Sequence, residues 1–404
     1  MNEAAAAAER AARTAYGKLV AAIARRTGDI TAAEDALATA FARALTHWPK
    51  SGVPAAPQAW LLSVARNAAI DTARRRATET NDTATLTLLA EEHHMAKPDH
   101  DPRLGLVLAA SHPAIAPEVR APLILQTVFG VSAHDIAEAY LIPPATLSQR
   151  LVRAKAKIKA AKIPFEPDPD DAPTRLANAR DAVFALYTVA RAAPRDEVAN
   201  ARAGDALAIA TLCAERLPDD PETLGLAALI AFSEARQPAA RDGSGRYIKL
   251  SDQNVGLWDA ALLTTAERWL ASAAAHRTLG RFQIMAAIQS AHSARRHTGT
   301  TPWAEIAAFY DVLLAMMPTA GVATARAAAH GNAFGKPAGL GALEDARTGK
   351  LCPDNYQPYW ALRAHLCEGE DSEIAYTTAI ALSRDEVVRA HLSALAEGSG
   401  HKRH

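Results

Sequence analysis

The residues best equipped for recognition chemistry lie between Thr146 and Lys162. Hydroxyl and amide side chains (Thr146, Ser148, Gln149) come first and cations follow. From Arg150 to Lys162 there are six Lys or Arg and no acid, a charge run whose natural partner is a phosphate backbone. Leu147, Leu151, Ala154 and Ile158 fall at steps of four, three and four, so a helix would gather them on one stripe that must be buried. Thr146, Gln149, Arg150, Arg153 and Lys157 then share the neighbouring face, as a helix entering a DNA groove requires. Upstream, Ser132 can cap a short helix that starts at Ala133, with Asp135 three residues on as its capping partner. Leu141-Ile142-Pro143-Pro144 breaks that helix, because Pro144 can open a helix but not continue one. A short helix, a turn and a longer basic helix together have the shape of a major-groove reader. A solvated basic helix in an all-helical protein would show the same pattern, so the rest of the chain has to decide between them.

Covalent chemistry finds little support. There is no Gly-rich phosphate loop, no HExxH and no nucleophile elbow, and Asp219-Asp220 and Glu368–Glu373 read as solvated loop acids. His93, His94 and His100 lack cysteine partners and regular ligand spacing, so no metal site and no cofactor is expected. Cys213, Cys352 and Cys367 are far apart and form no C-x-x-C pair, which points to buried thiols. No apolar run approaches the length of a bilayer span. The Ala-rich beginning carries Glu3, Glu9 and Arg10 and lacks the apolar core of a secretory signal. A cytoplasmic, non-enzymatic protein with no membrane partner is the expectation. Net charge is zero over 404 residues, yet residues 1–162 hold 20 Lys or Arg against 15 acids and the remainder 24 against 29. The first part is therefore the nucleic-acid half.

The elements that must position these residues are helical throughout. Tyr16, Leu19, Val20 and Ile23 keep helical spacing over 14–26, ended by Gly28-Asp29. Thr31-Ala-Ala-Glu34 reads as a capping box before the stripe Leu37, Ala40, Phe41, Ala44, Leu45 and Trp48, which Pro49 should stop. Pro57 can open the next helix, which turns Trp60, Leu61, Val64 and Ala68 inward and ends in Arg74, Arg75 and Arg76. Trp48 and Trp60 read as core rather than as stacking platforms. Residues 77–100 lose periodicity, as a flexible tether would. Helices then fill 101–129, with Pro117 at a helix start and Pro122 expected to kink or delay that helix.

Several strings bear a family likeness: Ala33-Glu34-Asp35-Ala36-Leu37 with Phe41, then Trp60-Leu61-x-x-Val64-Ala65-Arg66-Asn67, then Asp71-x-x-Arg74-Arg75. They resemble region 2 of the extracytoplasmic-function sigma factors of the sigma-70 family, and residues 101–162 resemble region 4 of the same proteins. The resemblance implies a promoter-specificity subunit whose partners are core RNA polymerase and promoter DNA. It assigns Glu34, Asp35, Leu37 and Phe41 to the polymerase, and Arg66, Asn67, Asp71, Arg74 and Arg75 to the opened −10 strand, with Asp71 orienting an arginine. Thr146, Ser148, Gln149, Arg150, Arg153 and Lys155 fall to the −35 duplex. Extruding a base needs polar reach and a single strand needs cations, and this residue set supplies both. The chain departs from the family at Ala38 and Thr39, where polymerase-contacting Gln and Glu are usual.

The remaining half shows Ala-rich amphipathic segments at about 175–192, 203–217, 221–236, 257–276, 280–297, 303–317, 321–332, 356–368 and 371–382. Their alternation of small and large apolar residues suggests tetratricopeptide-like (TPR-like) helix pairs without a strict period. Within 237–254, Asp242–Arg246 should turn and Tyr247–Leu250 should extend. Ile163-Pro164-Phe165, Leu224-Gly225-Leu226-Ala227, Leu257-Trp258-Asp259 and Trp303 with Tyr310-Asp311 are similar to the sigma-factor subgroup with a helical-repeat extension after region 4. In that subgroup the extension supports activity and stands in for a separate anti-sigma partner. The family's Asn-Glu-Gly-Tyr stretch is replaced here by Val189-Ala-Arg-Ala-Ala193.

The expected organisation is all-α. Region 2 occupies 10–76, a linker 77–100, a region 4 helix-turn-helix 101–162, a TPR-like extension 171–396 and a disordered tail 397–404. A protein or small-molecule regulator would act at the extension, and deleting residues 171–404 should leave a folded DNA-binding half. The competing reading is a sigma-like adaptor or sensor that has lost polymerase binding and works through its repeat domain.

Overall fold

The computed structural model describes residues 3–80, 101–140, 142–166, 170–192, 197–243, 248–383 and 386–400. The fold is all-α, with no extended strand among the described residues. Two compact units divide at Leu217/Pro218, well beyond the 163–170 stretch that the expected organisation leaves between region 4 and the extension. No described helix is long and apolar enough to cross a membrane. The expected linker over 81–100, its three histidines and the tail over 401–404 lie outside the described residues.

The first unit begins with three mutually packed helices, α1 (Glu3–Thr27), α2 (Ile30–Ser51) and α3 (Pro57–Thr80). The helix of α1 starts eleven residues before Thr14, because its alanines favour helix more than any other residue. Gly28, at φ 64°, ends it and donates to the Ala24 carbonyl. The α2 cap is Asp29, whose carboxylate accepts from the Ala32 amide at 3.1 Å. The Thr31–Glu34 capping box therefore does not form: the helix starts one residue before Thr31, and Glu34 has another partner. Pro49 does not stop α2, which runs on to Ser51. Its missing N–H leaves only the carbonyl of the exposed Leu45 unpaired, at a point where the helix is about to end. Leu37 and Leu61 are fully buried and Trp48 is 1% exposed, each contributing roughly 1.5–3 kcal/mol. Leu45, in contrast, is 51% exposed. Trp60 is half-buried, edge-on to Trp48 at 5.4 Å.

Four helices follow: α4 (Arg103–Ala110), α5 (Pro117–Thr127), α6 (Ala133–Ala139) and α7 (Pro144–Ala160). Pro117 opens α5, and Pro122 lies within it without delaying it. The carbonyl that Pro122 cannot bond belongs to the exposed Glu118. Ser132 caps α6 by accepting from the Asp135 amide at 3.1 Å, and Pro144 opens α7. Leu147, Leu151, Ala154 and Ile158 are all buried, as their spacing predicts. Next come α8 (Ala172–Ala192) and α9 (Glu197–Arg216), which pack on each other. The first of these also packs on α4 and α5. Arg103, 2% exposed, joins Asp101 at 2.7 Å to Asp205 of α9 at 2.5 Å. The helix pair α8–α9, expected to open the extension, is thus built into the same unit as α4–α7.

The second unit starts with α10 (Pro221–Ala235), nearly all buried, which packs on α11 (Ala260–Ala275) and α12 (Arg281–Ser293). At Gly225 a Cβ would lie 2.7 Å from the Gln283 backbone nitrogen, so only glycine admits this approach. Glu222 accepts from the amides of Phe282 and Gln283 and so caps α12. Seven further helices are α13 (Arg295–Thr298), α14 (Trp303–Met316), α15 (Ala320–Phe334), α16 (Lys336–Thr348), α17 (Gln357–Leu366), α18 (Glu370–Leu382) and α19 (Glu386–Gly400). Their apolar residues form three successive clusters centred on Ile306, Leu343 and Tyr376, each shared by consecutive helices, as in helical-repeat packing. Two of these helices, α16 and α19, are additions to the sequence reading. Of the Tyr247–Leu250 piece, Leu250 starts a 3-10 turn rather than a strand, and 244–247 lie outside the described residues. Cys213 and Cys352 are buried and Cys367 is half-buried, all as free thiols. Burial pushes the Cys213 thiol up to about 12.

Candidate nucleic-acid interface

On α3 the side chains of Arg66, Asn67, Asp71, Arg74 and Arg75 are all exposed, because the inward stripe takes Leu61, Ala65 and Ala68 instead. Steps of four and three from Asn67 through Asp71 to Arg74 keep these groups on one face. Arg75 donates from Nε to the backbone carbonyl of Asp71 at 3.3 Å. An arginine is thus held at Asp71, through the main chain rather than the carboxylate. Partial burial, and next the nearby Arg26 guanidinium, lower the pKa of Arg66. It stays charged at neutral pH, and two guanidinium groups close enough to repel favour a shared phosphate.

The α7 face presents Thr146, Ser148, Gln149, Arg150 and Arg153 to solvent. Val152 lies among them and is 66% exposed. Sequence reasoning passed over this valine, although an apolar residue off the buried stripe of a basic helix was the available signal. A valine in such a place suits a thymine methyl.

Lys155 is elsewhere. It is 9% exposed, and its Nζ donates to both carboxylate oxygens of Glu34 at 2.7 Å. One residue expected on DNA and one expected on the polymerase are therefore bonded to each other. Lys159 pairs with Asp29 at 2.7 Å, and Arg25 with Glu166 at 2.6 Å. Burial pushes the Asp29 carboxyl up, but the bonds from Lys159 and the Ala32 amide outweigh it and hold the group below its ordinary value. The Tyr16 hydroxyl is raised by burial and then by the neighbouring Glu34 carboxylate. Asp35 is exposed, Phe41 half-buried and Leu37 wholly buried, so Leu37 serves packing. A groove of about 450 Å³ remains beside Glu34, lined by Tyr16, Ala38, Phe41, Gln126 and Lys155 among others. No cluster of three or more metal-ligating side chains occurs among the described residues.

Comparison with known proteins bears on these surfaces. Residues 13–79, which hold most of α1 and all but the last residue of α3, match Sigma-70 region 2. Residues 175–274 match a family of unknown function, DUF6596, across the boundary between the two compact units. The uncharacterized protein R00370 of Rhizobium meliloti (strain 1021) is 32% identical over 347 residues, which cover 82% of this chain and 81% of that protein. No solved structure matches the chain. The Sigma-70 region 2 match supports a role in transcription initiation, with core RNA polymerase and promoter DNA as partners. The chain belongs to the same family as the Rhizobium protein, and its residues 13–79 carry a Sigma-70 region 2.

Proposed function

We propose that this chain is an alternative sigma factor of the extracytoplasmic-function type, working in the cytoplasm and without chemistry of its own. Core polymerase is taken by the α2 face around Glu34, Asp35 and Phe41. The α3 face from Arg66 to Arg75 holds the opened −10 strand. The α6–α7 pair reads the −35 duplex as a helix-turn-helix through Thr146, Ser148, Gln149, Arg150 and Arg153. The helices from α8 onward form the TPR-like extension that supports or regulates initiation, answering to a protein or small-molecule regulator. The observation carrying this reading is the exposed row of Arg66, Asn67, Asp71, Arg74 and Arg75 on a helix inside the Sigma-70 region 2 match. Cations and an amide along one helix face suit a single strand, and buried aromatics elsewhere leave that face free of packing duties. The test is crosslinking of the full chain, with core polymerase, to the non-template strand of a melted promoter. Arg66→Ala and Asn67→Ala should each remove the crosslink at the extruded base; crosslinking indifferent to both would refute the assignment.

A second reading has specific support. Ala38 and Thr39 replace the usual polar contacts, and Glu34 is engaged by Lys155. An adaptor that has lost polymerase binding would look like this. Co-purification with core polymerase separates the two readings, since the adaptor would not bind it even at low salt.

A further inference from the structure

We propose that the acidic face of α2 is a docking surface for the chain's own α7, and that this intramolecular clasp competes with core polymerase. The inference rests on the sigma-factor reading and adds a regulatory contact to it. Its polar part consists of two charge pairs, Lys155 with Glu34 and Lys159 with Asp29, each at 2.7 Å. The Lys155 side chain is only 9% exposed and its ammonium reaches both oxygens of its partner, so Glu34 cannot serve another protein while the clasp is shut. Beside it, between α1 and the end of α5, lies a backbone approach that only glycine permits. A Cβ on Gly17 of α1 would lie 1.6 Å from the Val128 carbonyl oxygen, just after α5. Across the same junction Gly130, at φ 62°, faces the Tyr16 ring, where a Cβ would lie 3.1 Å from the nearest ring carbon. Ala38 offers only a methyl to the groove beside Lys155. The position where the family usually offers a polar contact thus adds little bulk beside α7. Binding polymerase then requires the open form, and a clasp shut ten to one lowers apparent affinity about tenfold.

The test uses the full chain. Gly17→Ala touches no residue assigned to polymerase or DNA, and alanine favours the α1 helix more than glycine does. Its methyl nevertheless cannot coexist with Val128 at the observed separation. Lys159→Glu is a second variant, on a side chain 57% exposed, where misfolding is not a concern. Dyes on cysteines placed at the exposed positions Ala42 and Ala156, in a Cys367→Ser background, report the clasp by energy transfer. Transfer should fall in both variants, and in the parent as salt screens the charge pairs. Core polymerase should bind Gly17→Ala about tenfold tighter than the parent. Unchanged transfer in both variants overturns the clasp. Equal polymerase binding by parent and Gly17→Ala overturns the competition while leaving the sigma-factor reading intact. Absence of polymerase binding by every form, with the dyes separating as expected, overturns the sigma-factor reading and the competition with it.

Discussion

Replacing Arg103 by Met should loosen the first compact unit without disturbing the second. The side chain is 3% exposed and makes four bonds to carboxylates. Nε reaches both Asp101 oxygens at 3.1 Å, Nη2 reaches Asp101 Oδ2 at 2.7 Å, and Nη1 reaches Asp205 Oδ1 at 2.5 Å. Breaking a buried ion pair by removing one partner costs about 3–5 kcal/mol. Asp101 and Asp205 are 18% and 27% exposed, so water recovers part of that, and a loss of about 2–3 kcal/mol is expected. Asp101 also keeps its bond from the Arg103 backbone amide. Hydrogen exchange followed by mass spectrometry in increasing urea resolves the two units separately. Peptides from α4, α5, α8 and α9 should lose protection together, at lower urea than in the parent, while α10–α19 stay unchanged. The same logic sets where the chain can be cut. A chain ending at Leu217 keeps Asp205 and should fold, whereas one ending at residue 170 leaves α4 and α5 uncovered and should not. Unchanged protection of α8 and α9 in Arg103→Met would refute the view that this network fixes them to α4.

Burial, and next Arg236 and Arg295, push the His292 imidazole down to about 4. The unfolded chain then binds a proton between about pH 6.5 and 4 that the folded unit refuses. Stability of the second unit should be complete above pH 6.5 and fall toward pH 4 by up to about 3 kcal/mol. His292→Gln should flatten urea midpoints across that window, and an unaltered slope would contradict the assignment. For the α7 face, Arg150→Ala and Arg153→Ala should each cost about 1–3 kcal/mol in duplex affinity if the side chain reads a base. If it meets phosphate, each should instead reduce the salt dependence by about one ion; fluorescence anisotropy over a salt series distinguishes the two. Binding indifferent to both changes would mean that another face of α7 meets DNA.

Much of the fold was legible because apolar residues at steps of three and four leave one helix register open. The Ser132 cap, the Pro57, Pro117 and Pro144 helix starts and the buried stripe of α7 are all local features. Helix α16 falls outside the segments read from the sequence, and it holds Pro337, Gly339 and Gly341, residue types that weaken a helix. Pro337 in fact lies in its first turn, and Gly339 lets α16 approach α15, where a Cβ would come within 2.8 Å of Gly331 Cα. The Thr31–Glu34 pair illustrates another limit. A local capping pattern lost to Asp29 because Glu34 had a lysine 121 positions away. Lys155 reads as one more cation on a basic helix, although its place four residues after Leu151 and three before Ile158 sets it on the buried stripe. The exposed faces of α3 and α7 were readable from charge and spacing; the contact between α2 and α7 was not, since long-range pairing leaves no periodic trace.

The claim that this chain directs RNA polymerase is tested most directly by transcription with purified components. Core polymerase, the full chain and fragmented DNA from the organism that makes it would be combined, and the transcripts sequenced. Transcripts that start at a shared pair of upstream elements, depend on the chain, and disappear with Arg66→Ala or Asn67→Ala while the protein stays folded are the predicted result. A chain that neither binds core polymerase at low salt nor alters where transcription starts would contradict the account.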